Sequence, residues 1–105
     1  MPPLRIGYII ESAGDQDKLQ LGVGVSGRYF KKAVDRNRIK RLLRESWRLQ
    51  KTELANLAKQ HGKSLKVFII YTGRELPAYN LVFGKVGSAI EQLKSLINEK
   101  GPANS

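Results

Sequence analysis

No cysteine occurs in the 105-residue chain, which excludes disulfides, thiolate metal sites and cysteine nucleophiles. His61 is the only histidine, so a zinc hydrolase or a Ser-His-Asp triad would have to be built around one imidazole. Carboxylates are scarce: nine Asp and Glu stand against 19 Lys and Arg, a net charge of +10 at pH 7 with a pI near 10.2. Such a balance calls for a polyanionic partner. No apolar run approaches the roughly 18 residues that a membrane span needs. The opening Met1-Pro2-Pro3-Leu4-Arg5 also lacks the apolar core of a signal peptide, so a cytoplasmic protein with no membrane partner is expected. Hydrophobic residues, at 41%, suffice for one core, and the expectation is a single domain over 1–105 with 101–105 as a flexible tail.

Leu4, Ile6, Tyr8 and Ile10 alternate with Arg5, Gly7 and Ile9, and this period of two predicts a strand over 4–10. The polar stretch 11–18, with Gly14 among turn formers, leads to Leu19, Leu21, Val23 and Val25, which alternate again. The pair reads as a β-hairpin with a long mobile loop, in which Asp15 and Asp17 belong to a polar turn. Gly22 and Gly24 fall on the face opposite Leu21 and Val23, leaving room for a helix or a nucleotide. From Lys31 the spacing becomes helical, through Ile39, Leu42, Leu43, Ser46, Trp47, Leu54, Leu57 and Ala58. It predicts one long helix over 31–60 ended by Gly62. Residues 65–71 (LKVFIIY) are too short and too β-branched for a helix and predict a buried central strand. After a turn over 73–77, Val82, Val86, Ile90, Leu93 and Ile97 predict a final helix over 79–99, weakened by Gly84 and Gly87. The fold class is α+β, a small sheet packed against a long central helix and a C-terminal helix.

The charge is concentrated. Between Arg28 and Arg48 lie nine basic residues and two acidic ones, which supply +7 of the +10. At about 100° per residue, Asn37, Lys40, Arg41, Arg44 and Arg48 fall opposite Ile39, Leu43, Ser46 and Leu57, with Arg36 and Trp47 near the boundary. A solvated helix face interleaves signs at i, i+4. Here Arg36, Lys40, Arg44 and Arg48 stack like charges at that spacing, costing a few tenths of a kcal/mol per pair. Repulsion tolerated in this way implies an absent anion. Arginine's planar fork suits phosphate oxygens and base edges, so nucleic acid fits best.

The segment Ala33-Val34-Asp35-Arg36-Asn37-Arg38-Ile39-Lys40-Arg41-Leu42-Leu43-Arg44-Glu45 resembles the signature helix of the bacterial ribonuclease P protein family, whose pattern centres on Arg-Asn-Arg, then Lys-Arg, then Arg-Glu. The Gly-containing strand ending in Val25-Ser26 and the apolar run 67–71 are similar to the family's strands, and the resemblance covers roughly 4–99. Two departures stand out. Family members usually carry a further aromatic-bearing helix and strand before the segment matching Leu4, so the domain is expected to be N-terminally short with part of the usual cleft missing. Gly27-Arg28 also stands where two lysines are common.

The resemblance implies a ribonuclease P protein-like fold, of the type shared with a ribosomal-protein domain, with a left-handed βαβ crossover although such units are right-handed in about 98% of cases. It implies a protein subunit that binds the catalytic RNA subunit and the 5′ leader of precursor tRNA, as a monomer in a 1:1 complex. The RNA would carry catalysis and hold the Mg2+ ions, the protein binding no cofactor or metal and supplying no catalytic residue. The implied RNA-binding residues are Arg28, Lys32, Arg36, Asn37, Arg38, Lys40, Arg41, Arg44 and Arg48. Tyr8 matches a family aromatic and is the candidate on which a leader base stacks, although strands favour tyrosine anyway. Phe30 reads instead as a staple at the helix start, Trp47 as core, and His61 as a helix-end residue without catalytic role. A general RNA-binding or ribosome-associated protein is the competing reading, and an autonomous nuclease a third. Five or six neutralised phosphates would give a log–log salt slope of order −4 to −5.

Overall fold

The structure, a computed structural model, describes residues 3–12 and 18–99. Alternating side chains form β1 (Leu4–Ser12) and β2 (Leu19–Val25); the charged stretch forms α1 (Ala33–Gln50), followed by α2 (Thr52–Gln60), β3 (Lys63–Tyr71) and α3 (Tyr79–Glu99). The α+β class and the limits of α3 agree with the spacing of the apolar residues. Gly62, just past α2, adopts φ +63, the left-handed stop expected at a helix end.

The expected hairpin is not present. β1 and β2 lie on opposite edges of a three-stranded sheet ordered β1-β3-β2, with β1 antiparallel and β2 parallel to β3. The reason lies in β3, whose Leu65, Val67, Ile69 and Tyr71 are all buried, whereas both other strands are only partly covered. The most apolar strand takes the centre, where both of its edges find hydrogen-bond partners. The parallel neighbours β2 and β3 are joined through α1 and α2. The loop tip 13–17, with Asp15 and Asp17, and the tail 101–105 lie outside the described residues.

The single helix expected over 31–60 is two. Lys51 breaks it with ψ −14, although Lys51 N–H still bonds Trp47 O at 2.9 Å and Ala55 N–H bonds Lys51 O at 2.9 Å. No Pro or Gly marks the bend; its setting is tertiary. It lets α1 pack along β2 while α2 packs along β3, with α3 against both helices. The Gln50 amide Nε2 donates to Ser46 O and Phe83 O, each at 3.0 Å, and so ties the end of α1 to α3. Gly87 permits this approach, since a Cβ there would lie 2.6 Å from Gln50 Oε1, whereas a Cβ at Gly84 would meet nothing within 4 Å. Gly84→Ala is therefore expected to gain about 1 kcal/mol of helix propensity. Gly87→Ala nets close to zero, because the same gain is offset by about 1 kcal/mol for the displaced Gln50 hydrogen bond. Urea denaturation of the two variants checks this contrast.

Ile39, Leu43, Leu54, Leu65, Ile69, Leu93 and Ile97 fill the space between helices and sheet. Phe30 is buried among them with its ring 6.0 Å from that of Tyr71, and Trp47 is buried too. Ser46 is a polar intruder: it is 0% exposed and its hydroxyl has no hydrogen-bond partner. Ser46→Ala removes an unpaired buried hydroxyl and improves helix propensity, so the urea midpoint should rise by the equivalent of about 1 kcal/mol.

Lys94 of α3 clips α2 by bonding Glu53 at 2.7 Å and holds Glu91 at 3.1 Å. The Lys94 hydrogen bond keeps the Glu53 carboxyl below the ordinary carboxylate range. A depressed carboxyl contributes stability above its unfolded pKa and loses it as pH falls through the folded value. Glu53 is exposed, so acid titration of this clip should shift the melting curve only slightly.

Candidate nucleic-acid interface

α1 has one buried side, with Ile39, Leu43, Ser46 and Trp47, and an opposite side on which Asn37, Arg38, Arg41, Arg44 and Arg48 are exposed and Lys40 is half-buried. Two of the expected ridge cations are engaged by the protein itself. Arg36 turns back across the helix start, its Nη1 donating to Phe30 O at 2.9 Å and to Lys31 O at 2.8 Å. No side chain caps α1, whose N-cap is Lys32; Arg36 instead pins the loop that enters it. Arg48 forms a two-point ion pair with Glu45, one bond being Nε to Oε2 at 3.2 Å. That hydrogen bond holds the Glu45 carboxyl below the ordinary carboxylate range and raises Arg48 above its own. Both groups are exposed, and such pairs contribute little to stability.

Arg38, Lys40, Arg41 and Arg44 have no carboxylate partner among the described residues. The free ridge is thus four cations and Asn37, having lost Arg36 at its start and Arg48, one turn, at its end. It is extended by the loop that precedes α1. Arg28 there lies with its guanidinium 5.7 Å from the centroid of the half-exposed Tyr29 ring, and Arg74, from the turn after β3, approaches the same ring to 5.4 Å. Two guanidinium groups thus gather at one aromatic ring, and Arg28 and Arg74 are both exposed residues, as are Lys31 and Lys32 where the loop enters α1. Arg74 was not legible as a member of this cluster, because only the fold brings its turn to the β2–α1 loop.

Tyr8 stands apart from the ridge. It pairs in register with Val67, whose side chain is fully buried against the helices, so both point to the same face. Yet Tyr8 is 41% exposed, and Ile6 and Ile10 on that face are half-buried. α1 lies against β2, the far edge strand, and roughly 10 Å of sheet separates β1 from β2. The helix-side face of β1 is therefore an open apolar trough rather than part of the cationic helix. No group of three or more His, Asp or Glu side chains among the described residues converges as metal ligands would. No helix among them is long and apolar enough to cross a membrane.

In this small α+β domain the central helix packs on one side and leaves on the other guanidinium groups without carboxylate partners among the described residues, a concentration of positive charge of the kind that attracts polyanions. A sequence model of the family described as Ribonuclease P matches residues 4–93, and the chain belongs to that family. A ribonuclease P protein component from Porphyromonas gingivalis is 32% identical over 80 residues, 76% of this chain and 58% of the relative. One from Methylococcus capsulatus is 53% identical over 38 residues, 36% of this chain and 30% of the relative. The chain thus spans little more than half the length of the first of these relatives. The solved ribonuclease P protein of Staphylococcus aureus aligns over 87% of this chain and 72% of its own, at 22% identity and a TM-score of 0.44.

Proposed function

We propose that the chain is the protein component of a ribonuclease P ribonucleoprotein. It docks on the catalytic RNA subunit and on the 5′ leader of precursor tRNA, and assists endonucleolytic removal of that leader. Phosphodiester hydrolysis and the Mg2+ it needs belong to the RNA, and the protein acts in the cytoplasm as one copy per RNA. The single observation that supports this reading is the run Arg38, Lys40, Arg41 and Arg44, cations left without carboxylate partners on one face of a helix whose other face is locked in the core. Phosphate oxygens complete such a face, and neutralising them lowers the repulsion among the RNA strands brought together at the cleavage site. Tyr8, in its open trough, offers a ring on which a base of the single-stranded leader stacks.

The test is reconstitution. Added to its RNA subunit at low Mg2+, the full-length protein should raise cleavage of leader-bearing precursor tRNA and its affinity over that of leaderless tRNA. Equal competition by an unrelated structured RNA would favour a general RNA-binding protein instead. Four free ridge cations predict a log–log salt slope of about −3 to −4 for this contribution, shallower than six would give.

A further inference from the structure

The sheet has a second face, turned away from the helices, and it is not the polar surface that an outer face usually is. Phe68, Ile9 and Ile70 are 47%, 46% and 37% exposed there. The strand expected to be buried is buried on one side only. Phe68 sits at the centre of the central strand, with Gly7 opposite it on β1 and Gly22 opposite it on β2. Its ring leans over Gly22, where an added Cβ would lie 3.0 Å from Phe68 Cδ1. The space above Gly22 is thus filled by this ring, not by a helix or a nucleotide. On the other side the floor is open: a Cβ at Gly7 would touch only Phe68 Cβ, at 3.9 Å. Arg5 and Ile9 flank that floor along β1, and Lys66 precedes Phe68 on the same face of β3, beside Ile9 in register.

We propose that this face is a second RNA contact, in which an unpaired base stacks on Phe68 above Gly7 while Arg5 and Lys66 meet the adjoining phosphates. The inference rests on the reading of the chain as an RNA-binding protein, but it uses none of the α1 residues. Charge and size favour this occupant. Arg5 and Lys66 bracket the aromatic ring, whereas the nearest carboxylate on the face, Glu11, lies one row beyond Ile9 and Lys66. A second copy of the chain would set these cations against their own equivalents, with each copy carrying +10. Three face positions on each of three strands, about 6.7 Å apart along a strand, cover roughly 290 Å², well below the ~800 Å² per partner of a stable protein interface. An aromatic ring with flanking cations on an open sheet is, by contrast, a sufficient platform for single-stranded RNA.

The experiment measures binding of the full chain to a fluorescein-labelled 12-mer of oligoadenylate RNA, with ultraviolet crosslinks mapped by mass spectrometry. Phe68→Leu keeps the apolar bulk and removes the π face; Gly7→Val fills the floor without altering the ring. Each should weaken binding about 5- to 30-fold, and the crosslink on the peptide containing Phe68 should disappear. Arg41→Ala serves as the ridge control, measured on the RNA subunit. Unchanged oligoadenylate affinity and crosslinking in both Phe68→Leu and Gly7→Val overturn the proposal, as does failure of the unaltered chain to bind the oligonucleotide. If Arg41→Ala weakens binding to the RNA subunit in that case, the ridge reading survives alone; if it does not, that reading falls as well. A dimer in sedimentation that Phe68→Leu converts to monomer would assign the face to a second copy and also overturn the proposal.

Discussion

Replacing Arg38, Arg41 and Arg44 together by Ala should weaken binding to the RNA subunit roughly a hundredfold at 0.1 M salt, because each released counterion is worth about 1 kcal/mol at that concentration. The same triple variant should flatten the log–log salt slope by about 2 to 3. Both quantities follow from one count: three exposed guanidinium groups without carboxylate partners among the described residues. Arg36→Ala and Arg48→Ala are informative controls. Arg36 spends its Nη1 on two backbone carbonyls, so its loss should loosen the entry to α1 more than it changes the slope. Arg48 is already neutralised by Glu45, and Glu45→Gln should steepen the slope by freeing it. A titration of affinity against KCl from 50 to 400 mM measures all of these, and a triple variant with the parental slope would mean the helix face meets solvent only.

The division of α1 was legible because helical geometry converts sequence spacing directly into direction: Ile39, Leu43 and Ser46 are buried, and Asn37, Arg41 and Arg44 are exposed, as their positions require. Local chemistry was half legible. Glu45 precedes Arg48 by three positions, the spacing of helix ion pairs, so that pairing could have been read from the sequence. The acceptors of Arg36 could not, since they depend on the path of the loop at Phe30 and Lys31. Strand pairing is a different matter. Period-two alternation identifies a strand and its faces but carries no information about its neighbour, so β1 and β2 looked like a hairpin until β3 was found between them. The outer face of the sheet left one clue: Lys66 alternates with Leu65 and Val67, which places Phe68 and Ile70 on the wet side with it. An apolar run alone concealed that alternation.

Leu43→Ala should be the most damaging single change to the fold. Leu43 is 0% exposed within the core formed by the helices and the sheet. Truncating such a leucine costs about 2–5 kcal/mol, the transfer term plus the cavity it leaves. Against a total stability of about 5–15 kcal/mol for a domain of this size, that is a large fraction, and Tm should fall by roughly 10–20 °C. Its neighbour makes the opposite prediction. Arg44 points outward between Lys40 and Arg48, so Arg44→Ala removes like-charge neighbours and should leave stability unchanged or raised by a few tenths of a kcal/mol. Adjacent residues thus separate folding from binding: Leu43→Ala shifts the urea midpoint, while the fraction still folded binds RNA with near-parental affinity. Arg44→Ala keeps the midpoint and loses affinity. If both changes moved the same measurement, the helix would not have one face for the core and another for the RNA, and the RNA-binding surface would have to be sought away from the ridge.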